Sequence, residues 1–366
     1  MQNKSIINTD NVSDAKKPMF FGGDLGIQRY DKPKYEKIFN MFKQQIAYLW
    51  RPEEINLSKD KGDFNNMSDH SKWVFTMNLK YQIFLDTINS RGISHLLKYC
   101  SNTEVEAFCK IWEYIETLHS YSYTYVIKQV YTNPSDVFDN ILNDKQILKR
   151  ASSVTKYYDA MINEIEEKES LETDEKKIEY LRKKALYLTL VSINILEGIR
   201  FYVSFACSFA FAENKLMEGN AKIISLIARD ENLHMGFTSL VLKMLQEDPT
   251  EGFQEVIEDC KDIVINMYKD AAEEEIEWAK YLFEEGSIIG LNSDILIQYM
   301  KFLTNNRLKM IRMEPIFEKT ANPISWIGNW TGANLVQDAP QETEIIAYVN
   351  AVKQDVDEQN YEEFDF

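Results

Sequence analysis

The chain is short of the residues that break regular structure. Only 13 Gly and 8 Pro occur in 366 residues, and most of the prolines lie in the first and last quarters. That scarcity argues against a β-rich or α/β fold and leaves long amphipathic stretches uninterrupted. Cysteine is also scarce: Cys100, Cys109, Cys207 and Cys260 show no Cys-x-x-Cys spacing and no paired framework. No apolar run follows the N-terminal MQNKSIINTDNVSDAKKP, so no secretory signal is expected. Both observations fit a reducing, cytoplasmic setting. Basic residues are outnumbered, 41 against 58 acidic ones, for a formal net charge of −17 and a pI near 4.8. Such a surface repels nucleic acid and anionic membranes, and neither is expected as a partner. No Gly-rich phosphate loop is present either, so no nucleotide pocket is expected in this chain.

What is present is helical periodicity on a chain long enough to bury a large core. A first helix is expected from Pro33 to near Trp50, with Tyr35, Ile38, Phe39, Phe42, Ile46 and Leu49 as its apolar stripe. Ser68 caps a second, to about Asn89, which places Asp86 near a C-terminal end where a carboxylate is unfavourable. Thr103-x-x-Glu106 reads as a capping box that opens a third helix, ending before Pro134. Further helices are expected over about 145–167, 175–216 and 220–245, then from Pro249 to Gly286 and after Ser293, with irregular chain beyond Pro315. The 175–216 helix is unusually long, and Glu197-Gly198 is its weakest point. Within it, Ala185–Ala212 is apolar enough to suggest a membrane span, but Glu197 and Arg200 sit near its middle. A helix buried at the centre of a bundle is the better reading. The expected organisation is a flexible segment over 1–18, an all-α domain over 19–334 and a flexible tail over 335–366.

Two motifs carry chemistry: Glu116-x-x-His119 and Glu231-x-x-His234. Residues three apart share a helix face, so each motif aims a carboxylate and an imidazole at one point. Two such helices, with one carboxylate from each of two others, are the ligand set of a di-iron or di-manganese bundle. Asp86 and Glu197 are candidates for the remaining carboxylates. Four carboxylates balance two divalent cations, and mixed oxygen and nitrogen donors suit Fe or Mn. The plainer reading of Glu197 and Glu231 is an ion pair with Arg200 or Arg229. His70 and His95, at helix ends, read as solvated or capping groups. Tyr123 lies one turn beyond His119 on the same face, whereas Tyr121 and Tyr125 point elsewhere. Phe201, Phe205 and Ile227 are candidates to wall off a dry pocket for an oxidised tyrosine.

Longer runs carry a resemblance: PMFFGGDLGIQRYD, LWRPEEINLSKD, NLKYQIFLD, ETLHSYSYTYVIK, LEGIRFYVSFACSFAFAENKLMEGNAKII, LIARDENLH and AKYLFEEGSIIGLN. Over nearly its whole length the chain resembles the radical-generating small subunit of class Ia ribonucleotide reductase. The resemblance implies a ferritin-like helical bundle with extra flanking helices and a dimetal carboxylate site. It places the metal ligands at Asp86, Glu116, His119, Glu197, Glu231 and His234, holding two Fe ions or two Mn ions. The radical tyrosine falls on Tyr123. A transfer route falls on Trp50, in LWRPEE, with Asp230 as the bridging acid beside Arg229. Tyr348, with Glu342, falls where the tail hands the radical to the large catalytic subunit. The terminus through Phe366 is the segment that docks there, and a homodimer is implied. Two positions depart from the bacterial pattern: Tyr121 stands where relatives carry Arg, and Gly198 where they carry Ala. A dimetal oxidase acting on its own substrate, and a non-catalytic scaffold, are the rival readings.

Overall fold

The computed structural model describes residues 5–10, 16–163 and 173–332. In chain order the helices are α1 (Glu36–Ala47), α2 (Ser58–Asn66), α3 (Asp69–Leu97), α4 (Thr103–Val130), α5 (Ser135–Phe138) and α6 (Lys145–Ile162). They continue with α7 (Glu175–Ile195), a π turn (Leu196–Arg200), α8 (Tyr202–Glu213), α9 (Glu218–Glu247), α10 (Gln254–Leu282), α11 (Ser293–Met310) and α12 (Gly328–Thr331). Among the described residues the only β pairing is two isolated bridges, Phe20 with Cys100 and Ile288 with Leu291. The expected all-α, ferritin-like bundle is what the chain forms. All four cysteines are buried, and none of them is in a disulfide.

The bundle is organised around the apolar α7–π–α8 segment. It is the one described stretch long and apolar enough to cross a membrane, and its most apolar window is wholly buried. Residues Tyr202 to Ala212 of α8 are all buried, so α8 has no solvent face and must be covered all round. α9 packs on both α7 and α8, α3 packs on α4 and α8, and α4 meets α9. The candidate ligands lie on α3, α4, α9 and the π turn between α7 and α8.

The distortion expected at Glu197-Gly198 is the π turn itself, where one residue more than an α-turn is accommodated. Its Gly198 carbonyl accepts from the buried Arg307 Nε at 3.2 Å. A Cβ at Gly198 would stand 3.1 Å from Met235 Cγ and 3.4 Å from Arg307 Cδ, so Gly permits this close approach.

Several local expectations are corrected. α1 starts at Glu36 rather than Pro33, and Ile46 and Leu49 of its expected stripe are 41% and 44% exposed. Tyr35 and Ile38 of the stripe are buried as expected, while Gln45, which was not expected inward, is fully buried and donates to Asp230. α3 continues to Leu97, so Asp86 lies inside the helix rather than at its end, and the dipole argument does not apply to it. Ser68 does cap α3, accepting from Ser71 N–H. The cap of α4 is Asn102, accepting from Glu104 and Val105 N–H, and Thr103 is the first helical residue. Glu106, the expected partner in that box, accepts from Gln28 Nε2 and Lys110 Nζ. α2 was not expected, being short and polar. Its Asp60 accepts from Gly219 and Asn220 N–H and so caps α9 from a distance. The end of the helix expected over 145–167 and the whole of the tail expected over 335–366, with Glu342, Tyr348 and Phe366, lie outside the described residues.

Candidate dimetal centre

Asp86 comes from α3, Glu116 and His119 from α4, Glu197 from the π turn, and Glu231 and His234 from α9. All six side chains are fully buried. They form two groups, Asp86–Glu116–His119–Glu231 and Glu116–Glu197–Glu231–His234, within each of which the donor atoms lie within 4.8 Å of one another. Glu116 and Glu231 belong to both groups. His119 Nδ1 lies 3.1 Å from Glu231 Oε1, and His234 Nδ1 lies 3.1 Å from Glu116 Oε1 and 3.0 Å from Glu231 Oε2. The i, i+3 spacing therefore does what helix geometry requires of it.

Donor atoms in this pocket are left over. Both Asp86 oxygens, Glu116 Oε2, His119 Nδ1, Glu197 Oε2, Glu231 Oε1 and His234 Nε2 are buried without a hydrogen-bond partner. Unsatisfied buried acceptors are costly, and so many converging on one point fit cations as their missing partners. The ion-pair reading of Glu197 and Glu231 fails on geometry. Arg200 Nη1 sits 2.9 Å from Glu274 and 3.7 Å from Glu275, and Arg229 Nη2 pairs with Asp230 at 3.5 Å.

The protonation pattern follows from burial and crowding. Burial first, then Glu231 and Glu116, hold Asp86 and Glu197 well above the usual carboxylate range. Glu116 is raised by burial and then by Glu231. Burial opposes charge on His119 and His234, but the adjacent carboxylates override it and raise both. Burial also works against ionised Glu231, yet His119 beside it keeps that carboxyl far below its ordinary value. Without metal, protons thus take the place of cations. Groups with raised folded values stabilise below their unfolded values and lose that contribution as pH rises through the folded ones. Metal-free protein is therefore expected to melt at progressively lower temperature from about pH 5 to about pH 9. Mn(II)-loaded protein should lose less over the same range, because the ions keep the carboxylates ionised and paired. Melting curves of both forms across this range check it, and parallel curves would contradict it.

One side of the pocket continues outward as a hydrogen-bonded line. His119 Nε2 faces Asp230 Oδ2 at 3.3 Å, and the same oxygen accepts from Trp50 Nε1 at 2.8 Å. Gln45 Nε2 donates to Asp230 Oδ1 at 3.2 Å. Asp230 is fully buried; burial raises its carboxyl, but Arg229 and His119 outweigh this and lower it, so it remains an acceptor. The Trp50 and His119 ring centroids are 6.3 Å apart. Tyr123 is fully buried, and its hydroxyl lacks a hydrogen bond of good geometry. Burial, then the Asp86 charge, push this phenol far above its ordinary range, so it stays protonated at rest. Tyr121, by contrast, is 47% exposed and donates to Glu53, so it is no second phenol in the pocket. Phe201, Phe205 and Ile227 are fully buried. His70 meets the Gly286 carbonyl at a helix end, and neither it nor His95 joins the cluster.

Three neighbours went unforeseen. Trp112 donates to Glu116 Oε1 at 2.7 Å, and its i−4 spacing on α4 was a usable signal. Asn89 donates to Glu197 Oε1 at 2.5 Å and accepts from Tyr158 at 2.7 Å. Nothing in the local pattern marks that pair.

Against known proteins, residues 28–323 match the family described as ribonucleotide reductase, small chain. The chain is 45% identical over 360 residues to ribonucleoside-diphosphate reductase subunit beta of Buchnera aphidicola subsp. Schizaphis graminum, covering 95% of this chain and 96% of that one. The Haemophilus influenzae subunit beta is 43% identical over 369 residues, with 95% and 96% covered. Among solved structures, the ribonucleotide reductase R2 subunit from Clostridium botulinum matches with a TM-score of 0.77 at 24% identity, covering 90% of this chain and 99% of that one. That last likeness is one of fold.

Proposed function

The chain belongs to the ribonucleotide reductase small-chain family, and we propose that within this family it is a radical-generating subunit with its oxidising equivalent stored on Tyr123. As the small subunit of a ribonucleoside-diphosphate reductase it acts together with a large subunit. Asp86, Glu116, His119, Glu197, Glu231 and His234 would hold two Fe ions or two Mn ions, with Glu116 and Glu231 shared. When bound, those ions supply the one-electron oxidising power, with O2 as the ultimate oxidant.

The remaining roles belong to the chain. Tyr123 gives up one electron together with its phenolic proton, and Asp86, whose charge acts most strongly on the phenol, is the base for that proton. Burial of the phenol keeps water and reductants from the oxidised ring. Trp50, Asp230 and His119 form the line along which the hole leaves the pocket. Asp230 holds the indole N–H and the imidazole N–H on one oxygen, so proton and electron shifts along this line are coupled. The route continues through Tyr348 and Glu342 to the large subunit, with the C-terminal tail as the docking segment. A homodimer in the cytoplasm is the proposed working form.

One observation carries this reading: a fully buried six-residue donor cluster with the buried Tyr123 phenol against Asp86 and the Trp50–Asp230 line against His119. Aerobic iron loading of metal-free chain tests it. About two ions per chain and a tyrosyl electron paramagnetic resonance signal are expected. A loaded chain with no such signal would sink it. Deleting residues 335–366 should leave the metal content and the signal intact and abolish turnover with the large subunit. An oxidase acting on its own substrate would be indifferent to that deletion.

A further inference from the structure

Glu197 is held differently from the other five donors. It sits on the π turn, followed by Gly198, where the backbone departs from α geometry. Its carboxylate is gripped from across the bundle by Asn89 of α3, whose Nδ2 donates to Oε1 at 2.5 Å. Asn89 is fully buried, and its Oδ1 accepts from Tyr158 of α6 at 2.7 Å.

This set of residues is fitted together. The Tyr158 ring lies against Gly92, one turn beyond Asn89 on α3. A Cβ at Gly92 would stand 2.1 Å and 2.2 Å from Tyr158 Cε1 and Cζ, so no larger residue admits the ring. The amide has two possible orientations, and a flip would turn Oδ1 onto Glu197 Oε1, oxygen against oxygen. The ionised Glu197 carboxylate only accepts, so it selects the orientation with Nδ2 toward it, and Tyr158 completes that orientation by donating to Oδ1. The donations run in one direction, from Tyr158 through Asn89 to Glu197, and such chains reinforce each member.

We propose that Asn89, oriented by Tyr158 through the space left at Gly92, is a positioning residue for Glu197 and thereby sets affinity at one of the two metal positions only. Glu197 belongs to the Glu116–Glu197–Glu231–His234 group and not to the group containing Asp86 and His119. Loosening it therefore weakens one ion and spares the other. This rests on the dimetal reading above.

The test is a Mn(II) titration of metal-free full-length chain, with free Mn(II) followed by its own resonance signal. Wild type should take up two ions. Asn89→Leu, which keeps the number and branching of the side-chain heavy atoms but neither donates nor accepts, should weaken one position by about 10–100-fold and leave the other unchanged. Tyr158→Phe should weaken the same position by a smaller factor. It removes a single oxygen atom, and it carries the decision if Asn89→Leu does not fold. Melting temperatures of the metal-free variants show whether each is folded. A merely structural role would lower those temperatures without separating the two positions. Equal weakening at both positions, or none in a folded variant, overturns the proposal. Failure of wild type to bind two ions would overturn the dimetal reading, and this proposal with it.

Discussion

Tyr123→Phe is expected to retain about two metal ions per chain while its tyrosyl signal and its turnover with the large subunit fall to background. The ring is fully buried, and Phe fills the same space. Because the hydroxyl makes no hydrogen bond of good geometry, its removal leaves no partner stranded and should change stability by less than about 1 kcal/mol. The substitution takes away the one bond that the proposed chemistry needs, the phenolic O–H. Measured together, metal content, melting temperature, resonance spectrum and turnover separate a lost radical site from a damaged pocket. Turnover surviving in Tyr123→Phe would move the storage site elsewhere. Tyr121 would not be its heir, since it is 47% exposed at the surface.

Trp50→Phe is expected to do the complementary thing: metal and tyrosyl signal stay, and turnover falls to background. Trp50 is only 4% exposed and donates to Asp230 Oδ2, which also faces His119. Phe keeps an aromatic ring but loses the indole N–H and its low oxidation potential, so the line to the surface is cut while the pocket is left standing. Asp230 retains His119, Gln45 and Arg229 as partners, which limits the structural cost. Asp230→Asn should give a partial version. An amide offers only one acceptor oxygen where donors approach both, a mismatch of about 1–3 kcal/mol. Carried into the transfer step, that slows turnover by up to about 100-fold. If Trp50→Phe turned over normally, the hole would have to leave the pocket by another path.

The parts of this site that were legible in the sequence are those governed by local geometry. The two Glu-x-x-His pairs and Tyr123 follow from 3.6 residues per turn. Glu197 stood out as a carboxylate inside an apolar run, and the weak Glu197-Gly198 step became the π turn. The resemblance placed Trp50 and Asp230, and the structure joins them at 2.8 Å across a separation of 180 residues. What stayed hidden depends on polar contacts between distant elements. Gln45 turned inward from α1 to meet Asp230, Asn102 displaced Thr103 as a cap, and Asp60 reached across to cap α9. Periodicity registers which face is greasy, not which amide meets which carboxylate. Asn89 and Tyr158 illustrate this, since each alone would pass for ordinary core or surface.

The α7–π–α8 segment also has a consequence for how the protein is made. Its apolar stretch emerges from the ribosome before α9, the helix that packs along both of its halves. Until α9 follows, the newborn chain displays a sticky rod with the character of a membrane insert. Chaperone capture in that interval, or slow synthesis just beyond residue 213, would decide how much of it is lost to clumping before the bundle closes.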